Sequence, residues 1–442
     1  PFAPGGGMGP RPVRVDWEIA ANESMTRIVR RGTVHATAEW GHSVHVDVRG
    51  LAPAADYFYR FRALGEVSTV GRTRTAPAPF ARVEKMTVAV ASCQNWSDGY
   101  YHAYADLAAH APDVVLHLGD YIYEYAPGGY QARDVVVRPH DPPRETLALD
   151  DYRRRHAQYK TDPDLQSAHA IAPWLVVWDD HEVTNDWFPG QNRGDYGNTN
   201  ASLLAAHGRR AFCEYMPVRQ TQAEIGRIYR KVSYGPLLDV FLLDMRSYRG
   251  PNGNRDTVLG PDSAILGAAQ VEWLKRELSR SSATWKVIAA DLPLSVVSYD
   301  AVALGSGAPV GRELEIADLL SFIKHAGVRN TVWVTADMHY TAAHYYDPNR
   351  AQFQDFEPFW EFVSGPIHAG TFGPNQLDNT FGPQLKFIKA PTKEQGQNLS
   401  PALGLQFFGH VAIDGASGLM TVTLKDWDDR ALWSTRLEPK VG

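Results

Sequence analysis

The sequence predicts an α/β chain, with a large layered domain over residues 81–442 preceded by a small all-β domain over residues 1–80. Three observations predict it. Beyond residue 80, apolar runs of strand length alternate with segments of helical periodicity. Before it there are only short alternating strands and turns. Between the two, Ala76-Pro77-Ala78-Pro79 reads as a stiff linker.

Residues 1–10 are a Gly/Pro-rich lead-in, and the start at Pro1-Phe2-Ala3-Pro4 without Met suggests a processed or trimmed terminus. Arg14–Ile19 and His42–Val48 alternate as strands. Leu51-Ala52-Pro53, followed by Tyr57-Phe58-Tyr59, resembles the tyrosine corner of fibronectin-type sandwiches, although the segment is short for seven strands. In the large domain, strands are expected at Met86–Ala91, Asp113–Leu118, Trp174–Trp178, Ile228–Tyr234, Leu238–Asp244, Trp285–Ala290 and Thr331–Thr335. Helices are expected at Tyr100–His110, Leu149–Tyr159, Pro163–Ile171, Ala201–Tyr215, Ala268–Ser279 and Leu314–His325. Late strands at Phe359–Ser364, Leu405–Ile413 and Leu419–Lys425 lack helices between them, which suggests antiparallel additions. The long loops 124–147, 181–200, 245–265 and 365–400 are candidates for function.

The 442 residues are 44% apolar, enough for a sizeable core. A net charge of −6 with no basic stripe gives no reason to expect a nucleic-acid partner. No apolar run approaches the ~20 residues of a membrane span. Two cysteines, Cys93 and Cys213, make no disulfide framework, though a single bridge between them, or a redox role, stays open. No Gly-x-Ser-x-Gly elbow and no P-loop occur, which disfavours serine hydrolases and nucleotide-binding ATPases.

Four strand-like runs end in metal-ligand types: Ala91-Ser92-Cys93; Leu118-Gly119-Asp120 with Tyr123; Trp178-Asp179-Asp180-His181-Glu182; and Ala336-Asp337-Met338-His339. In open α/β sheets, ligands bind beyond the carboxyl ends of strands. Asp120 can bridge two cations about 3.5–4 Å apart, the spacing that serves phosphoryl displacement. A tyrosinate at Tyr123 and a thiolate at Cys93 point to iron(III). Asp180 and Asp337 suit calcium, magnesium or manganese. Taken singly, each has a plainer explanation. Cys93 could be a small buried hydrophobe, Tyr123 a core aromatic, and Asp179–Glu182 a helix N-cap cluster.

Together with Leu243-Asp244-Met245-Arg246 and Val183-Thr184-Asn185, these motifs resemble the PhoD-type alkaline phosphatases of the calcineurin-like metallophosphoesterase superfamily. That group includes the streptomycete calcium-dependent phospholipases D. The resemblance spans residues 13–437 and implies a two-sheet sandwich flanked by helices around an Fe3+–Ca2+ centre. It implies iron ligation by Cys93, Asp120, Tyr123 and His339, with Asp120 bridging. Asp180, Asn185 and Asp337 fall to the second metal, where Mn2+ or Mg2+ are alternatives. His181 falls near the leaving group. Arg246 is either a phosphate clamp or structural. The implied activity is hydrolysis of phosphodiesters by metal-activated hydroxide, of phospholipase D type, on phospholipid at a membrane or micelle surface. The alternatives are a phosphomonoesterase and a non-catalytic binding module with a degenerate site. The family is secreted, but its twin-arginine signal and customary N-terminal opening are not in this sequence, and Ala336 stands where Gly is common. Gly119 is expected to let the backbone approach the centre, and His117 to be structural. The aromatics Trp187, Phe188, Tyr196, Phe353, Phe356, Phe359, Trp360, Phe372 and Phe381 either hold lipid chains or pack locally.

Overall fold

The computed structural model describes residues 7–220 and 225–440, so the opening residues of the lead-in lie outside the described residues. The N-terminal part holds β1 (Val13–Ala20), β2 (Ile28–Ala36), β3 (Asp56–Ala63), β4 (Glu66–Val67) and β5 (Gly71–Arg74). They form one antiparallel sheet in the order β2-β1-β3-β4, with β5 also paired to β3. The tyrosine corner is present, since the Ala52 N–H donates to Tyr57 Oη at 2.9 Å. A second sheet is not found among the described residues, and His42–Val48 runs without strand pairing. Its place beside β1 is taken by β2, which only Ala36 anchors by full burial. An edge strand this exposed carries no apolar alternation to betray it.

The large part runs β6 (Lys85–Ala91), α1 (Ala103–Ala109), β7 (Val114–Leu118), α2 (Leu149–Tyr159), α3 (Pro163–Ile171), β8 (Trp174–Val177), β9 (Asn192–Arg193), β10 (Thr199–Asn200) and α4 (Ala201–Tyr215). It continues through β11 (Arg230–Tyr234), β12 (Leu238–Leu242), α5 (Ala268–Arg280), β13 (Trp285–Ala289), α6 (Glu313–His325), β14 (Thr331–Thr335), β15 (Thr341–Tyr346) and β16 (Phe359–Val363). It closes with β17 (Pro383–Lys389), β18 (Phe407–Asp414), β19 (Met420–Asp426) and β20 (Ala431–Leu437). One sheet has the order β20-β19-β18-β6-β7-β8, the other β11-β12-β13-β14-β16-β15-β17.

The two sheets face each other, and the alternation along the strands shows it. In β12, β13 and β14, Leu238, Val240, Leu242, Val287, Ala289, Val332 and Val334 join the core shared with Val88, Val90 and Leu116 of the first sheet. Phe241, Ile288 and Trp333 point the other way, onto Leu274, Leu278, Ile316 and Leu320 of α5 and α6. Leu107 of α1, Tyr152 and Tyr159 of α2, Leu165 of α3 and Phe212 of α4 cover the first sheet. The result is a helix–sheet–sheet–helix sandwich. β18 pairs antiparallel with β6, and β19 and β20 follow antiparallel beyond it, as expected. β16, also expected as an antiparallel addition, instead pairs parallel with β14 and antiparallel only with β15, because it lies inside the second sheet. Within the two large sheets three strands were not anticipated, namely β15, β17 and β20, and the two-residue pair β9 and β10 lies in what reads as the loop 181–200. β17 begins with Pro383 inside what reads as a loop, and a proline is tolerated there because it is the first residue of an edge strand. The helix expected from Tyr100 starts only at Ala103.

Candidate metal centre

β6, β7 and β8 are parallel neighbours, and so are β12, β13 and β14. Cys93, Asp120 and Asp179 follow the carboxyl ends of the first three strands, and Asp244, Asp291 and Asp337 those of the second three. To aim side chains back across the strand ends the chain must turn sharply. Cys93, Asp120, Asp337 and His339 all take left-handed backbone, with φ of 58°, 54°, 62° and 55°. Such conformations cost energy in non-glycine residues and gather at functional sites. Gly119, at φ +99°, passes so close to the neighbouring turn that an added Cβ would lie 2.4 Å from Asp179 Cβ. The Glu182 carboxylate ties these turns together by accepting the N–H groups of Asp120 (3.2 Å), Tyr121 (2.5 Å) and Asp179 (2.7 Å). Residues 179–182 are therefore a pinned turn, not a helix start.

Ligand atoms of Cys93, Asp120 and His339 lie within 4.8 Å of one another, and so do those of Asp120, Asp179, Asp180 and Asp337. Asp120 belongs to both groups. Tyr123 Oη lies 3.0 Å from Asp120 Oδ2 and 3.0 Å from His339 Nε2. His339 Nδ1 is 2.5 Å from the Gly370 carbonyl, which can only accept, so Nδ1 carries the proton and Nε2 presents a lone pair. Burial lowers the His339 pKa to about 4, keeping the imidazole neutral. The Tyr123 hydroxyl has a single proton for two facing acceptors, while Asp120 Oδ1, Asp179 Oδ2 and Asp180 Oδ1 are buried without a hydrogen-bond partner. One proton cannot satisfy lone pairs converging from several sides, and a cation can. Burial, with Asp120 next, pushes the Tyr123 phenol and the Cys93 thiol up, the direction a bound cation would reverse. The donor set fits a metal pair, hard carboxylates on one side and thiol, phenol and imidazole on the other.

His181 sits beside this set, 8% exposed. Its Nδ1 is 2.8 Å from Glu124 Oε2 and its Nε2 4.0 Å from Asp180 Oδ1. Burial opposes its charge, but Asp180, Glu124 and Asp120 outweigh burial and hold the pKa well above the usual imidazole value. Its ring stacks on Tyr123 at 4.3 Å, with Tyr125 and Tyr130 at 5.4 and 6.4 Å. Asn185 is half-buried nearby, its N–H donating to Glu124 Oε1 at 2.7 Å.

Arg246 is not poised to clamp a phosphate. Its side chain has no exposure and reaches Asp179 (2.5 Å), Asp291 (3.2 Å) and Asp300 (2.6 Å), with Asp337 at 3.8 Å. The guanidinium orders the carboxylates from beneath. Both cysteines are free and buried, so there is no Cys93–Cys213 bridge. His117 is core, fully buried and stacked on Trp174. Of the loop aromatics, Phe353, Phe356, Phe359 and Phe381 pack among themselves, and Trp187 joins the main core. Phe372 alone of that set touches a candidate ligand, His339, with Tyr130 on its other side. Sequence reasoning passed over Glu124, Tyr130 and Asp291, and it placed Asp179 in a ligand-type run without giving it a role. Asp291 could have been found, because it follows an expected strand in the same way as Asp120 and Asp337.

Parallel strand ends from two facing sheets meet in a buried carboxylate, imidazole and thiol set that fits a metal pair, and comparisons with known proteins make its bearer a phosphoric ester hydrolase. The comparisons carry this to a family. The PhoD-like phosphatase model matches residues 88–424, and the model of the PhoD-like phosphatase N-terminal domain matches residues 3–77. Alkaline phosphatase D of Bacillus subtilis (strain 168) is 38% identical over 395 residues, covering 85% of this chain and 67% of that protein. A solved structure of PhoD superposes with a TM-score of 0.79 at 30% identity, over 98% of this chain and 87% of that one. The chain belongs to the PhoD-like phosphatase family.

Proposed function

We propose that this phosphoesterase acts on phosphodiesters and releases phospholipid head groups in the manner of a phospholipase D. The observation that carries the reading is the fate of the arginines. Arg246 is tied to Asp179, Asp291 and Asp300, and Arg249 lies against Asp300, both with no side-chain exposure. Neither can meet the second negative charge of a phosphomonoester, whereas a diester carries only one. Tyr125, Tyr130 and Phe372 make a half-buried aromatic rim, and Val135, Val136 and Val137 stand exposed on the same loop as the tyrosines. That apolar rim suits a lipid better than a small polar ester. The name of the Bacillus subtilis relative favours the alternative, phosphomonoester hydrolysis.

Within the reading, Cys93, Asp120, Tyr123 and His339 would hold iron(III), and Asp180, Asn185 and Asp337, together with Asp120, would hold calcium. Such cations acidify water and offset charge on the phosphoryl oxygens. The chain supplies the rest. Arg246 and Glu182 fix the carboxylates. Glu124 accepts from His181 Nδ1, so that Nε2–H faces the site and protonates the leaving alkoxide. The reading includes export. No helix among the described residues is long and apolar enough to cross a membrane. The test compares phosphatidylcholine micelles, bis(p-nitrophenyl) phosphate and p-nitrophenyl phosphate at matched metal loading. Faster turnover of the monoester overturns the diester reading.

A further inference from the structure

Asp98 takes no part in the centre described above, yet three segments cross at its carboxylate. It ends the short turn Trp96–Asp98 that follows Cys93 and is 5% exposed. Its Oδ1 accepts the Ala132 N–H at 2.7 Å, and its Oδ2 accepts the Gly370 N–H at 2.9 Å. Those two residues lie in the long loops 124–147 and 365–400. No ion pair to Asp98 is present among the described residues, so the two amides are its main partners.

What hangs from each amide matters. Gly370 donates to Asp98 through its nitrogen and accepts from His339 Nδ1 through its oxygen. Phe372, two residues on, donates to the His339 carbonyl at 3.3 Å and packs on the His339 ring. On the other side of Gly370, His368 donates to the Cys93 carbonyl at 3.1 Å and accepts from Asn95 N–H at 2.7 Å. Ala132 lies two residues beyond Tyr130, whose ring stacks 5.9 Å from Tyr123. The loops are also tied to each other, as Asn398 Nδ2 donates to the Gln131 carbonyl at 2.8 Å. Gly370 also passes close to Asn398, since a Cβ there would lie 2.1 Å from Asn398 Oδ1.

We infer that Asp98 is a positioning residue of the metal centre. It fixes the Gly370 carbonyl that orients His339, and it seats Tyr130 over Tyr123 through Ala132. The inference rests on the metal-centre reading above. The partner that orients a ligating imidazole governs metal retention as well as rate, typically by about 10–100-fold.

The experiment compares wild type, Asp98→Asn, Asp98→Ala and a distant control, Glu315→Gln. Glu315 also gathers loop amides, those of Ile265, Leu266 and Gly267, but on the far helix α6. Each protein is loaded with iron and calcium. Melting temperature, the rate of metal loss to a chelator, and kcat and KM on bis(p-nitrophenyl) phosphate are then measured. Asp98→Asn keeps the shape and one acceptor oxygen, so it folds even where the alanine variant does not. The expected result is metal release about tenfold or more faster in both Asp98 variants, with kcat lowered and KM changed little. Glu315→Gln loses stability but releases metal at the wild-type rate. Asp98 variants that retain metal and kcat at wild-type levels overturn the inference. So does a Glu315→Gln variant that loses metal equally fast, since the effect is then general loosening. A wild type that takes up no metal overturns the metal reading itself and the inference with it.

Discussion

Replacing Gly119 with alanine tests the geometry of the centre most directly. The new Cβ would lie 2.4 Å from Asp179 Cβ and 2.8 Å from Asp179 N, with Trp178 C at 3.0 Å. These atoms belong to the turn that Glu182 pins against the Asp120 turn, so neither side can yield alone. Overpacking of this kind costs about 1–3 kcal/mol. Holding alanine at φ +99° adds roughly 1–2 kcal/mol. A central value is about 3.5 kcal/mol. Unfolding entropy of about 2.1 cal/mol/K per residue over 442 residues comes to roughly 0.9 kcal/mol/K, so the melting temperature falls by only about 4 °C. Activity should fall much further, because Asp120 and Asp179 are forced apart, and a misplacement of about 1 Å can cost about 100-fold. Calorimetry and kcat/KM on bis(p-nitrophenyl) phosphate are the assays. A variant with wild-type activity refutes the claim that the two turns must touch, whatever its melting temperature.

Asp120→Ala and Asp337→Ala should each lose metal by elemental analysis and nearly all activity, while Cys213→Ser loses neither. Thiol titration of the unfolded protein should find two free cysteines, and Cys93→Ser should lower iron content selectively. His181→Ala should cost about 10²–10⁴-fold in kcat on alkyl esters and much less on p-nitrophenyl esters, whose leaving group needs no proton. Glu124→Gln removes one of the carboxylates that raise the His181 pKa, so the alkaline limb of kcat/KM should move to lower pH. Metal-stripped protein should be more stable at mildly acidic pH than at alkaline pH. Burial raises the pKa values of Asp120, Asp291 and Asp337 well above the unfolded carboxylate value, so the stability they contribute is present at low pH and lost as pH rises through the folded values. Thermal melts with and without chelator across pH check this.

Much of the large part was legible because its strands are buried on both faces and read as unbroken apolar runs ending in a turn. Asp120, Cys93 and Asp337 were legible for the same reason, since each interrupts such a run. Glu124 was not, because it sits in a loop and its role depends on where His181 arrives from 57 residues away. Tyr130 and Asp98 belong with it, because what each meets is set by how the loops cross. β2 and β17 were missed at sheet edges, where exposure removes the alternation that marks a strand. Arg246 was visible as a residue but ambiguous in role, and only the converging Asp179, Asp291 and Asp300 decide it.

The division of strand ends between two sheets has a consequence for how the protein is made. Cys93 and Asp120 emerge early in synthesis, whereas Asp337 and His339 come more than two hundred residues later. β18, which pairs with β6, comes later still. A ribosome must therefore release most of the chain before any complete cage for a cation exists. A product truncated before Asp337 would carry five of the seven proposed donors and lack Asp337 and His339, so on the metal reading bound metal would report that synthesis had passed His339 and that the two sheets had come together.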